Sequence, residues 1–87
     1  MEIKEVRALL EQLNQTEIEF DPHFYKRSAE RPINEGMIRD YLQNLSKLVK
    51  IEIGNGVNRF KLWFRMSRKY SLVIIIEISS TKVLKVI

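Results

Sequence analysis

The sequence predicts a single α+β domain with its helices in the first half and its strands in the second. Apolar residues recur at helical spacing over residues 2–13 and again after Asn34. From residue 48 onward they alternate with polar residues, as in strands. A chain of 87 residues is the length of one small domain. We therefore expect an N-terminal helix, a short strand, a pair of helices and then an antiparallel four-stranded meander sheet, with the helices packed on the sheet.

The first two elements follow from short-range periodicity. Residues 2–13 predict a helix whose leucines and other aliphatic residues form one stripe, with Glu2 and Glu5 at the end where the helix dipole favours negative charge. The segment Thr16–Phe20 (TEIEF) alternates between polar and apolar residues. It predicts either a short strand or an extended lead-in to the next helix.

Two capping signals predict the helix pair over residues 21–46. Asp21-Pro22 is a strong start, because Asp caps free amides and Pro suits the first helical position. That helix has to end near Arg31, since the following proline disfavours a helical conformation before it. Asn34 is the expected cap of the second helix.

The remainder of the chain predicts four strands: Leu48–Ile53, residues 59–66, Ser71–Ser79 and Val83–Ile87. Gly54-Asn55-Gly56 and Ser67–Lys69 have the composition of turns. The strand Ser71–Ser79 is apolar on both faces, which is typical of a central strand covered on both sides. We expect the N-terminal helix or a second copy of the chain to cover one of those faces.

Composition excludes several classes of protein. The chain has no cysteine, so disulfides, zinc-thiolate sites and thiol nucleophiles are excluded, and a cytoplasmic location is expected. One histidine and no carboxylate cluster predict no metal site, and three glycines without a phosphate-loop motif predict no nucleotide cofactor. The N-terminus lacks the apolar region of a signal peptide, and the longest apolar run, Leu72–Ile76, is too short for a membrane span. We therefore expect no membrane partner.

Charge is distributed unevenly between the two halves. Residues 1–44 contain six Lys/Arg and nine Asp/Glu, a net of −3, whereas residues 45–87 contain nine Lys/Arg and two Asp/Glu, a net of +7. A basic half of this kind suggests an anionic partner. The alternative is a basic sheet whose charges serve only solubility.

His23, Arg27 and Arg31 are the first candidate site. Their spacing of four places all three on one face of the predicted helix. An arginine pair one turn apart can hold phosphate oxygens, and a histidine beside it can transfer a proton near neutral pH. The alternative is a solvated helix face without a ligand.

The strand over residues 59–66 supplies the second candidate site. Arg59, Lys61, Trp63 and Arg65 share one face, with heads about 7 Å apart, and Arg68 and Lys69 follow in the turn. Trp63 among cations resembles a stacking platform for nucleic-acid bases. Alternatively Trp63 packs beneath a helix, covered by the aliphatic stems of its neighbours.

Tyr70 lies next to these cations in the same predicted hairpin turn. A phenol there can donate a proton to a reacting group or stack on a base. The other two tyrosines do not share this setting, and Tyr41 is expected on an apolar helix face.

These residues together resemble a known family. The string HFYKRSAERPINEGMIRDYL, then RFKLWFR, LVIIIE and a last VLKVI strand, is similar to the RelE/ParE-like toxin superfamily over about residues 20–87. The pattern His-x3-Arg-x3-Arg-Pro-Ile resembles a small branch of that superfamily without an assigned activity. The resemblance implies a RelE-like arrangement of the α+β fold.

The resemblance also implies a class of activity and a set of partners. RelE-like toxins cut messenger RNA without metal, using basic and aromatic residues around the scissile phosphate, whereas ParE-like members act on gyrase. By this resemblance the catalytic candidates are His23, Arg27, Arg31, Arg65 and Tyr70, and the nucleic-acid-binding candidates are Arg59, Lys61, Trp63, Arg65, Arg68 and Lys69. The sequence reaches Ile87 without the basic C-terminal tail of active RelE toxins, which implies a shortened chain or an activity that is lost or moved.

Three functional hypotheses follow from the sequence. The first is a toxin-type protein that binds or cleaves RNA without metal, with RNA or the ribosome and a cognate antitoxin as partners. The second is a non-catalytic module that binds another protein or forms a homodimer. The third is a basic nucleic-acid-binding protein without turnover. None of the three requires a cofactor.

Overall fold

The computed structural model describes residues 2–12, 18–29, 33–80 and 83–87. Within them the chain is an α+β fold with three α-helices and a five-stranded mixed sheet. The elements in chain order are α1 (Ile3–Glu11), β1 (Ile18–Phe20), α2 (Pro22–Ser28), α3 (Glu35–Gln43), a 3₁₀ turn (Leu45–Lys47), β2 (Leu48–Ile53), β3 (Arg59–Arg65), β4 (Ser71–Ser80) and β5 (Val83–Val86). In the described parts of the chain, no helix is long and apolar enough to cross a membrane.

The sheet combines the predicted meander with one additional strand. Its strand order is β1-β5-β4-β3-β2, and β2 to β5 pair antiparallel in sequence order as predicted. β1 pairs in parallel with β5, so the prediction of a four-stranded, wholly antiparallel sheet is wrong. The Asp21 N–H donates to the Val86 carbonyl at 2.8 Å and extends this pairing beyond β1. Local alternation predicts that β1 is extended, but it cannot say which distant strand it pairs with.

The hydrophobic core lies between one face of the sheet and the helices. β3 contributes Phe60, Leu62 and Phe64, all of which are buried, and the helices contribute five buried side chains. Those five are Val6, Leu10, Phe24, Ile38 and Leu42. The other face of the sheet is turned away from the helices, and we call it the open face.

Both predicted helix caps are confirmed. The Asp21 side chain accepts a hydrogen bond from the His23 backbone N–H at the start of α2, and Asn34 accepts one from the Met37 N–H at the start of α3. α2 ends at Ser28, and the predicted end at Arg31-Pro32 lies outside the described residues.

β4 is the middle strand of the sheet, as the sequence predicts. Leu72, Ile74, Ile76 and Ile78 are buried in the core, whereas Val73 on the open face is 39% exposed and Ile75 is half-buried. α1 packs its Val6 and Leu10 into the core on the side of β4 that bears Ile74 and Ile76, so the N-terminal helix covers one face of this strand, as expected. The open-face side of β4 is instead shielded in part by its neighbours on β3 and β5.

Candidate functional site

Strand alternation on β3 builds a row of cations on the open face. Phe60, Leu62 and Phe64 are at most 2% exposed and point into the core. The intervening residues therefore stand on the open face, and they are Arg59, Lys61, Trp63 and Arg65. This arrangement is the one that the sequence predicts.

The start of α2 brings a second group of polar side chains to the same face. β1 lies beside β5 at one edge of the sheet, and α2 begins immediately after it at Pro22. His23 and Arg27 are four residues apart and share one side of α2. Both line a cavity of about 460 Å³, to which β3 contributes Arg59 and Lys61.

This cavity, which we call the α2–β3 cavity, has an apolar floor and polar walls. Ile75 of β4 and Ile87 after β5 form the floor, where the Ile87 N–H donates to the Ile75 carbonyl at 2.9 Å. α2 forms one wall, and β3 with the turn residues Gly54 and Asn55 forms the other. The cavity is thus a cleft that is bordered by α2 on one side and by β3 and the turn after β2 on the other.

The charges around the α2–β3 cavity favour an anion. Arg27, Arg59 and Lys61 line it together with one acidic side chain, that of Asp21. Arg59 lies 3.8 Å from the Glu77 carboxylate, but neither Arg27 nor Lys61 forms a salt bridge within the described residues. Cations held at the walls of a cleft with low-dielectric surfaces concentrate anions there.

Asp21 and His23 form a hydrogen-bonded pair at the cavity wall. One Asp21 carboxylate oxygen lies 2.9 Å from the His23 backbone nitrogen and 2.9 Å from its ring Nδ1. The backbone hydrogen bond is the largest cause that lowers the pKa of Asp21, followed by the hydrogen bond to the ring. A ring that donates from Nδ1 presents Nε2 as its free acceptor, and the His23 side chain is 79% exposed.

The structure excludes one of the two positions of Trp63 that the sequence left open. It stands on the open face and is half-buried, so it does not pack beneath a helix. The Lys50 ammonium lies 4.5 Å from the centre of its rings, at the distance of a cation–π contact. Its indole Nε1 is buried and has no hydrogen-bond partner among the described residues.

Lys50 also connects Trp63 to a carboxylate. Its ammonium lies 2.8 Å from Glu52, and this hydrogen bond is the main cause that lowers the pKa of Glu52. The nearby indole N–H of Trp63 makes only a minor contribution to that shift, in keeping with a contact that lacks normal hydrogen-bond geometry. Lys50 and Glu52 thus stand together on the open face beside the cations of β3, although strand alternation alone does not single them out as functional.

The remaining predicted residues do not join the α2–β3 cavity. Arg65 shares the open face with Lys61 but lies farther along β3. Tyr70 is exposed in the β3–β4 turn and lines a different cavity of about 530 Å³ with Ile33, Met66 and Val73, among others. Arg68 and Lys69 are exposed in that turn, and Arg31 lies outside the described residues. The predicted catalytic group is therefore divided between two parts of the surface.

Reasoning from the sequence misses two features of the site. Asp21 was predicted only as a helix cap, although its position two residues before a histidine indicates a possible side-chain pair. The floor residues Ile75 and Ile87 were predicted only as strand residues. The role of Ile75 and Ile87 in the floor is not visible without the pairing of β4 with β5.

The described residues include no group of three or more His, Cys, Asp or Glu side chains arranged to hold a metal ion. Comparison of the chain with protein-family models, curated proteins and solved structures gave no match. The arrangement of side chains on the open face is therefore the basis for a functional assignment.

Proposed function

We propose that this protein binds single-stranded RNA on the open face of its sheet, with a backbone phosphate in the α2–β3 cavity. The observation that carries this proposal is the convergence of Arg27, Arg59 and Lys61 on one cleft that is lined by one acidic side chain, that of Asp21. Phosphate oxygens are the ligands that guanidinium and ammonium groups bind best. Arg65 extends the cationic surface along β3, which suits a chain of phosphates better than one isolated ion.

Binding through phosphates has a characteristic dependence on salt. For single strands, the logarithm of affinity falls with the logarithm of salt concentration with a slope of about −0.7 per neutralised phosphate. Four contacts predict a slope near −3 by that rule. Titration of labelled single-stranded RNA at several salt concentrations measures this slope directly.

Substitutions identify the cations responsible for that slope. Arg27→Ala and Lys61→Ala should each flatten it by about one contact, irrespective of the RNA sequence. Lys4→Ala is the matched control, because Lys4 is an exposed cation of α1, on the helix side of the sheet. Absence of binding at low salt by the folded protein, or an equal loss in all three variants, would contradict the proposal and favour a protein-binding module.

The Asp21–His23 pair favours a second candidate function, the metal-independent cleavage of the bound RNA. His23 Nε2 would remove the proton from a ribose 2′-hydroxyl, whose oxygen then attacks the adjacent phosphorus. The bond from phosphorus to the 5′-oxygen breaks, leaving a 2′,3′-cyclic phosphate and a 5′-hydroxyl that takes its proton from water. Arg27 and Lys61 would offset the negative charge that develops on the phosphate oxygens.

Cleavage predicts a clear result with chelator present. Labelled RNA should be cut in EDTA by the unmodified protein, and His23→Ala should lower the rate by about 10²-fold or more, as for loss of a general base. A 2′-deoxy strand should bind but remain intact. If the RNA stays intact with the unmodified protein while binding is normal, the protein is a binder without turnover.

We further propose that the chain is a RelE/ParE-like toxin-type protein located in the cytoplasm. The resemblance of residues 20–87 supports this proposal, as does the way α2 faces the cations of β3 across one cavity. A gene for a small antitoxin next to this one, whose product binds the chain and abolishes RNA binding, is the result expected. An unrelated neighbouring gene whose product does not bind the chain would contradict this kinship without affecting the proposed RNA site.

A further inference from the structure

β2 forms one edge of the sheet and has no strand partner on its outer side among the described residues. The Gly54 N–H donates to the Arg59 carbonyl, and Lys50 and Glu52 lie opposite Trp63 and Lys61 of β3. Even-numbered residues of β2 therefore direct their backbone groups toward β3. The N–H and C=O groups of Ile51 and Ile53 point outward, away from the sheet, whereas the bulge interrupts this alternation at Val49.

This outer edge is also unusually apolar. Val49 is 58% exposed and Ile53 is 72% exposed, while the half-buried Ile51 lies between them. Isolated proteins usually protect an edge strand with inward-pointing charges, proline or a covering segment. On β2 the devices of this kind are the charged side chains of Lys50 and Glu52 and a bulge at Val49, where the pairing with β3 shifts by one residue.

We propose that a second copy of this chain pairs with the outer edge of β2, strand to strand and antiparallel, about a two-fold axis at Ile51. The sequence Val49-Lys50-Ile51-Glu52-Ile53 is self-complementary about its central residue. In this register Lys50 lies opposite Glu52 of the second copy, and Val49 lies opposite Ile53. The outward backbone groups of Ile51 then meet those of Ile51 in the partner and form hydrogen bonds with them.

Charge selects this register over its neighbours. A two-fold axis at Lys50 would place two lysines directly opposite each other, and an axis at Glu52 would do the same with two glutamates. Like charges in directly opposed positions destabilise a strand pair, whereas opposite charges stabilise it. Registers shifted by one residue would join the helix side of one sheet to the open face of the other. Only the axis at Ile51 pairs opposite charges and keeps both helix layers on the same side.

The pairing forms one continuous sheet with an isologous interface. The two-fold axis is perpendicular to the sheet, so the two open faces lie on the same side. The interface does not include residues of the α2–β3 cavity, with which the edge strand shares no side chain. Dimerisation and RNA binding can therefore succeed or fail separately.

Charge reversal provides a direct test by sedimentation equilibrium over a range of concentrations up to about 1 mM. The unmodified protein should associate to a mass of two chains. Lys50→Glu alone and Glu52→Lys alone should each weaken association by about tenfold or more, because two attractive pairs become repulsive in each dimer. Lys4→Glu, which makes the same change in charge on α1, should leave association unchanged.

Complementation distinguishes a specific strand pair from general loss of structure. An equimolar mixture of the Lys50→Glu and Glu52→Lys variants should form a heterodimer, and the double variant K50E/E52K should recover association. Circular dichroism on the same samples verifies folding. If Lys50→Glu does not fold, the Glu52→Lys variant and the double variant still test the register. The proposal is overturned if the unmodified protein remains monomeric throughout, or if charge reversal at positions 50 and 52 has no more effect than at position 4.

Discussion

Asp21 has two roles at the first turn of α2, and they involve the same oxygen. It caps the helix through the His23 N–H, and it fixes the His23 ring through Nδ1. Structure and proposed chemistry are therefore linked at this residue, because the cap that begins α2 also orients the ring toward the α2–β3 cavity. Arg27, one turn later, depends on the same helix for its position at that cavity.

The lowered pKa of Asp21 predicts a pH dependence of stability. A carboxyl with a folded-state pKa below its usual value of 3.8 stabilises the protein above that value, and the stabilisation is lost as pH falls through the folded pKa. Asp21→Asn keeps a good helix cap but removes the charge. The melting temperature of the unmodified protein should exceed that of the variant at pH 6, and the difference should shrink below about pH 3.8. A difference that is constant from pH 6 to pH 2.5 would contradict this role of the charge.

At the scale of elements, the sequence predicts the helices and strands well because their signals are local. Asp21 and Asn34 cap the helices as expected, and β2 to β5 occur close to their predicted bounds. The parallel pairing of β1 with β5 was not predicted, because it joins segments more than sixty residues apart and depends on the packing of both. The same pairing places α2 at the sheet edge, so the α2–β3 cavity could not be derived from spacing alone.

The cap of α3 provides a test of the local signal. Asn34→Ala removes the oxygen that accepts from the Met37 N–H at 2.9 Å. We expect a loss of about 1 kcal/mol in the free energy of unfolding, within the range of about 0.5–2 kcal/mol typical of such caps. Urea denaturation measures this loss, and Asn34→Asp, which retains an acceptor, should be close to the unmodified protein. Equal destabilisation by both substitutions would show that the cap hydrogen bond is not the cause.

At the scale of the whole molecule, one face of the sheet packs against the helices and the other carries the proposed binding site. One face of the sheet is covered by α1, α2 and α3 and contains the core. The other remains open, with Val73 partly exposed and cations on β3 beside it. The uneven distribution of charge along the sequence predicts an anionic partner for the second half of the chain. It did not anticipate that Tyr70 and Arg65 would lie apart from His23, because the distance between them is set by the length of β3 and the following turn.

The most direct test of the RNA site is a titration of the ¹⁵N-labelled protein with a short single-stranded RNA, followed by amide chemical shifts. We expect the largest changes around the α2–β3 cavity, at His23, Arg27, Asn55 and Lys61, and saturation at low salt. Amides of α1 should change little, because that helix lies on the opposite side of the sheet. Changes confined to the Tyr70 turn, or spread evenly over both faces, would contradict a phosphate site between α2 and β3.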